Sequence, residues 1–94
     1  MTESATAPIR MRRVPEPIKI RRVGDFYWHI SARGDRYLRV AVPGLRRHVV
    51  RGLRCGRGGL AWDGDEERPT LKQLIVVPYW RGYVRSGFLV PEGG

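Results

Sequence analysis

Cysteine is nearly missing from this chain: Cys55 is the single thiol among 94 residues. One thiol forms no internal disulfide, so no disulfide framework exists. Histidine is scarce too, with only His29 and His48. Together with Cys55 they fall one short of the four Cys or His ligands that a structural zinc centre takes. No apolar run approaches the roughly 20 residues that span a bilayer. The opening stretch, Met1 to Pro8, lacks the charged-then-apolar order of a secretory signal. These absences lead to the expectation of a cytosolic protein with no metal, no cofactor and no membrane partner.

Carboxylates are short where bases abound. Residues 1–60 hold 14 Lys+Arg against 4 Asp+Glu, whereas residues 61–94 hold 4 against 5. The formal net charge is +9, and Arg outnumbers Lys 16 to 2. Codon usage in a GC-rich genome explains Arg over Lys, but not a twofold excess of bases over acids. A field of this sign draws in polyanions and acidic proteins.

At this length the chain makes one domain. Residues 1–17, with Pro8, Pro15 and Pro17, read as an extended or disordered arm, since proline fixes φ and removes backbone donors. Residues 18–94 read as a single β domain. Ile18–Val23 alternates with period two and predicts a strand. Phe26, Trp28, Ile30 and Ala32 share one face of the next strand, and Gly34-Asp35 turns it into a hairpin with Tyr37–Val42, where Leu38, Val40 and Val42 point inward. His48–Leu53 predicts another strand, Gly56–Gly59 a flexible loop, and Leu60–Trp62 a short strand. Leu71–Val77 is the most apolar stretch and reads as a central strand. Tyr79–Arg85 and Phe88–Val90 form a hairpin around Ser86-Gly87. Many short strands with Gly and Pro turns imply an all-β fold: a small antiparallel sandwich or partly open barrel of about 6–8 strands.

Three blocks in the second half have a recognisable order. Val42-Pro43-Gly44-Leu45 is followed by His48. Trp62-Asp63-Gly64-Asp65 is followed by Pro69-Thr70-Leu71, and Trp80-Arg81-Gly82-Tyr83-Val84-Arg85-Ser86-Gly87 ends the pattern. Over residues 36–90 this resembles a family of small phage and bacterial proteins of unknown function, sometimes labelled ammonia monooxygenase. In that family the first block reads Cys-Pro-Gly-Cys and the last carries Cys-His. Here Val42, Leu45, Trp80 and Arg81 stand at those positions, and none supplies a thiolate or imidazole ligand. The resemblance therefore implies a phage-encoded member that keeps the β scaffold and has lost the metal. It leaves Trp62, Asp63, Gly64 and Pro69 with structural duties: a core filler, a tight turn and the start of a strand.

Catalytic constellations are weak. Asp63, Asp65, Glu66 and Glu67 read as a solvated acidic turn, because the ligand offsets of a calcium loop are missing. Gly56–Gly59 leads into no helix, so it lacks the context of a phosphate loop. Cys55 sits among Arg54 and Arg57, a setting that lowers thiol pKa values, yet no partner is evident, and no catalytic residue is assigned. The binding reading is richer. Tyr79, Arg81, Tyr83 and Arg85 share one strand face, where aromatic rings stack bases and guanidinium groups pair phosphates. Arg46, Arg47, Arg51, Arg54 and Arg57 form a second basic group, and Arg10, Arg12 and Arg13 supply contacts from the arm. The chain is thus expected to be a non-enzymatic module that binds nucleic acid. Two other expectations are a phage inhibitor of an acidic host protein, and a virion accessory or homo-oligomeric protein that uses its arm for assembly. The location is then the host cytosol or the virion.

Overall fold

The pleat of Arg36–Val42 sets the layout. Leu38, Val40 and Val42 are fully buried, while Tyr37 and Arg39 on the opposite face stay partly exposed, as a half-buried strand requires. The computed structural model describes residues 7–93. Its strands are β1 (Ile9–Arg10), β2 (Arg12–Arg13), β3 (Asp25–Ile30), β4 (Arg36–Val42), β5 (Val49–Cys55), β6 (Ile75–Val77), β7 (Trp80–Arg85) and β8 (Phe88–Pro91). They form two four-stranded sheets, a front sheet in the order β2-β3-β4-β5 and a back sheet in the order β1-β8-β7-β6. The result is an all-β sandwich, antiparallel except where β2 runs parallel to β3. Phe26, Leu38, Val40 and Val42 from the front pack with Ile75, Trp80, Val84 and Leu89 from the back. Among the described residues, no helix is long and apolar enough to cross a membrane.

Turn chemistry fixes both long hairpins. Between β3 and β4, Gly34 takes φ +89 and the Asp35 N–H donates to Ser31 Oγ at 3.1 Å. Between β7 and β8, Ser86 and Gly87 take φ 48 and 80, the paired positive angles of a tight hairpin turn.

The N-terminal segment departs from expectation. The sequence reading set an arm of residues 1–17 apart from a domain starting at residue 18. Residues 1–6 of that segment lie outside the described residues, but Ile9–Val14 belongs to the sandwich. Ile9 and Arg10 pair with Leu89 and Phe88 of the back sheet, and Arg12 and Arg13 pair with Asp25 and Phe26 of the front sheet. Met11, between them, is buried and its N–H donates to Gly87 at 2.9 Å. One short segment thus closes one side of the sandwich. Pro15 and Pro17 lie beyond this pairing, so they spoil no ladder.

Three other expected strands are corrected. Leu60–Trp62 makes only isolated bridges, Leu60 to Cys55 and Trp62 to Leu71. Ile18–Val23 is no strand: Pro17–Lys19 makes a 3-10 turn, and Ile18 is 77% exposed. The Arg21 and Arg22 N–H groups donate to the Asp25 carboxylate at 2.9 and 3.3 Å instead of a ladder. Leu71–Val77 is not a central strand either. Leu71 is buried in an isolated bridge with Trp62, Lys72 and Gln73 are exposed, and only Ile75–Val77 joins the sheet, at its edge.

Asp25 is the buried charge of the fold. Its side chain also accepts from Arg12 at 3.1 and 2.8 Å. Burial by itself would raise its pKa, but the Arg12 guanidinium and the Arg21 and Arg22 N–H groups outweigh burial and hold it below the ordinary carboxylate value. A carboxyl depressed in the folded state adds stability above its unfolded pKa, about 4, and loses it as pH falls through the folded pKa. Acid titration followed by circular dichroism should therefore show stability declining below about pH 4. Asp25→Ala should lose roughly 2–3 kcal/mol in chemical denaturation, since two backbone donors lose their acceptor. The acid dependence of its remaining transition should be smaller, since of the two depressed carboxyls, Asp25 and Asp65, only Asp65 remains. Gly24→Ala should also destabilise, because Gly24 takes φ +100 and an added Cβ would lie 2.8 Å from the Arg10 carbonyl oxygen.

Candidate nucleic-acid interface

Strand pairing places the charged side chains row by row. On the front sheet the rows Phe26–Val40–Arg51 and Trp28–Leu38–Leu53 face the core side. The alternate rows, Tyr27–Arg39–Gly52 and His29–Tyr37–Arg54, face outward. Part of this outer face is closed, since Asp25, Tyr27 and Ala41 are buried. His29, Tyr37 and Arg39 are partly exposed and Arg54 is exposed. The His29 and Tyr37 rings lie 6.1 Å apart at 49°, and the Arg39 guanidinium donates to the Tyr27 hydroxyl at 3.2 Å. Gly52 lies opposite Arg39, and a Cβ there would meet the Arg39 stem only in ordinary van der Waals contact at 3.9 Å.

The basic group expected on and around β5 does not form one patch. Arg46 and Arg47 in the β4–β5 loop, with Arg51 and Tyr79, line one cleft at the start of β5. Arg54 and Arg57 line a separate cleft at its other end. Arg54 donates to Asp35 at 3.2 Å. The Gly56–Gly59 loop folds back on it, with the Leu60 N–H donating to the Arg54 carbonyl at 2.8 Å. Gly59 is required there, because a Cβ would sit 2.5 Å from that carbonyl oxygen.

The second expected group stands on the other sheet. Trp80, Gly82 and Val84 of β7 point inward, and Arg81, Tyr83 and Arg85 point outward. Arg81 is ion-paired with Glu92 at 3.0 Å. Arg85 lies 4.4 Å from the centre of the Tyr83 ring, so one face of the ring is already covered by an internal cation–π contact. Tyr79 precedes the strand and lines two clefts, one with Arg81 and Glu92 and one with Arg46 and Arg51.

The arm arginines have structural partners. Arg12 holds Asp25, and Arg13 pairs with Glu66 and Glu67. Arg10 is exposed and makes no ion pair among the described residues.

The Trp62–Pro69 block is knit together internally. Asp63 accepts the Asp65 and Thr70 N–H groups at 3.1 and 3.2 Å, and Asp65 accepts those of Glu67 and Arg68 at 2.9 Å each. These backbone donors hold the Asp65 carboxyl below its ordinary pKa. Gly64 takes φ +89 and Pro69 is fully buried. Trp62 packs against the core from outside rather than filling it. It lies 4.9 Å from Trp28, and the Arg36 guanidinium sits over both rings, 5.6 Å from Trp28 and 5.2 Å from Trp62, while donating to Glu66 at 3.0 Å.

Among the described residues no group of three or more His, Cys, Asp or Glu is placed to hold a metal ion. Cys55 is buried, and its Sγ donates to the Leu53 carbonyl at 3.2 Å. Burial pushes its pKa up, against smaller lowering effects from the Leu38 backbone and Arg36. A thiol of this kind is a poor nucleophile. A disulfide reagent at pH 8 should label Cys55 at least about tenfold more slowly in the native protein than in denaturant.

Comparison of this chain with protein-family models, with curated proteins and with solved structures gives no match.

Proposed function

We propose that this protein is a non-catalytic module that binds nucleic acid across β4, β5 and the loops flanking them. One observation carries this reading. From Arg36 to Trp62 the chain holds seven arginines (36, 39, 46, 47, 51, 54 and 57) and no Asp or Glu. Five of them, Arg39, Arg46, Arg47, Arg51 and Arg57, make no ion pair with a described carboxylate. Guanidinium groups left without carboxylates are available to phosphates, and their field attracts a polyanion before contact. On the outward face of the same sheet, the partly exposed His29, Tyr37 and Arg39 offer rings and a planar cation on which unpaired bases stack. The β7 face, with Arg81 paired and Tyr83 covered, takes a lesser part.

Binding of a fluorescent single-stranded oligonucleotide should weaken by about 100-fold between 50 and 200 mM salt, if about five phosphates are contacted. Arg39→Ala with Arg57→Ala should flatten that salt slope by about 1.4. Tyr37→Leu should cost roughly 1–3 kcal/mol of binding, and Tyr37→Phe should keep most of it. No binding at 50 mM salt to single or double strands, or binding indifferent to salt, removes the reading.

A further inference from the structure

The two sides of the sandwich differ. The Ile9–Val14 segment closes one side by pairing with both sheets. On the other side stand β5 and β6, the outer strands of their sheets, which are not paired with each other. Between the start of β5 and the β6–β7 turn lies a cleft of about 400 Å³. It is lined by the apolar side chains of Leu45, Val49, Val77 and Tyr79, with Pro43 and Pro78. Leu45 is 67% exposed, Tyr79 59% and the neighbouring Val76 60%, so large apolar side chains gather where the sheets fail to meet.

The backbone of β5 is open at the same place. The Arg54 carbonyl, at the outer edge, accepts the Leu60 N–H. Ladder alternation turns the N–H and C=O groups of Gly52 and Val50 to that same edge, where they have no backbone partner among the described residues. A strand laid along β5 would pair with these groups and send every second side chain into the cleft, the mode of β-strand addition. Charge selects the strand. Arg46, Arg47 and Arg51 line the cleft together with His48, and no carboxylate does. Apart from these cations, His48 and Tyr79, the side chains that line it are aliphatic, which suits Val or Leu side chains better than stacked bases.

We infer that the open β5 edge and the cleft beside it form a docking site for an extended acidic segment of a partner protein, with apolar side chains alternating with Asp or Glu. The occupant adds a fifth strand to the front sheet, fills the space between β5 and the β6–β7 turn with its apolar side chains, and sets its carboxylates against Arg46 and Arg47 of the exposed loop. This site shares Arg46, Arg47 and Arg51 with the basic run that the proposed nucleic-acid binding draws on, and leaves out the outward face that carries His29, Tyr37 and Arg39.

The test uses the whole protein and a seven-residue peptide of alternating Glu and Val, followed by amide exchange and chemical shifts in NMR. Exchange of the Val50 and Gly52 N–H groups should slow at least about tenfold on saturation, since they gain acceptors. The largest side-chain shifts should fall on Leu45, Val49 and Tyr79. The same peptide with Lys for Glu, or with alternate backbone nitrogens methylated, should lose this effect, as should Arg46→Glu with Arg47→Glu in the exposed loop. The inference is overturned if millimolar Glu-Val peptide leaves those amides unchanged, or if the Lys peptide acts equally. It also fails if the shifts centre on Tyr37 and Arg39. A free protein that sediments as a dimer and whose Val50 and Gly52 amides are already protected would overturn it as well.

Discussion

The Asp25 carboxylate and the arginine that clasps it hold the architecture together. Asp25 begins β3, and Arg12, opposite it on β2, gives it two hydrogen bonds. The Arg21 and Arg22 N–H groups fill further acceptor sites. The cluster fastens β2 to β3, and β2 continues through Met11 into β1, which is paired with the other sheet. Dispersion between the two apolar faces holds the layers, but this carboxylate decides that one segment is shared between them. A buried charge is tolerated because it is paired and hydrogen-bonded on several sides.

The division of charge follows from the same economy of carboxylates. Glu66 and Glu67 hold Arg13, Glu66 also holds Arg36 over the two tryptophans, and Glu92 holds Arg81. Asp63 and Asp65 accept backbone N–H groups of their own loop. The acidic residues after residue 60 thus serve the fold at the tryptophan corner and at the end of β8. None reaches the start of β5, and the arginines there keep an unbalanced field. The surface is basic because the acids are committed elsewhere as much as because arginine is plentiful.

Asymmetry between the two sides gives the sandwich its second feature. An edge strand exposes backbone donors and acceptors that other strands can use, and proteins guard such edges with charge. Arg51 and Arg54 on β5 fit that defence, and repulsion between like charges opposes pairing with a second copy. The same arginines favour an acidic strand, so protection against self-pairing and selection of a partner have one electrostatic origin.

Much of the fold was legible in the residues. The alternation of Leu38, Val40 and Val42 with Tyr37 and Arg39 set the buried face of β4, and Gly34 and Ser86-Gly87 marked their hairpins, because period and positive φ are local properties. The Ile18–Val23 alternation misled, because its backbone donors serve Asp25, a contact local in sequence but dependent on Arg12 from a different strand. The apolar Leu71–Val77 run was misplaced because Leu71 makes only single backbone contacts, a bridge to Trp62 and a hydrogen bond to Val84 of β7, and does not extend into a continuous strand. For the candidate site, the sequence by itself determined the excess of arginine, the scarcity of thiols and imidazoles, and the outward alternation of Arg81, Tyr83 and Arg85. Only the tertiary structure decided which arginines meet a carboxylate, that Arg46, Arg47, Arg51 and Tyr79 share one cleft, and that His29, Tyr37 and Arg39 share a face. Periodicity tells which side of a strand a residue takes, whereas strand order and pairing register, set by contacts distant in the chain, tell which residues become neighbours.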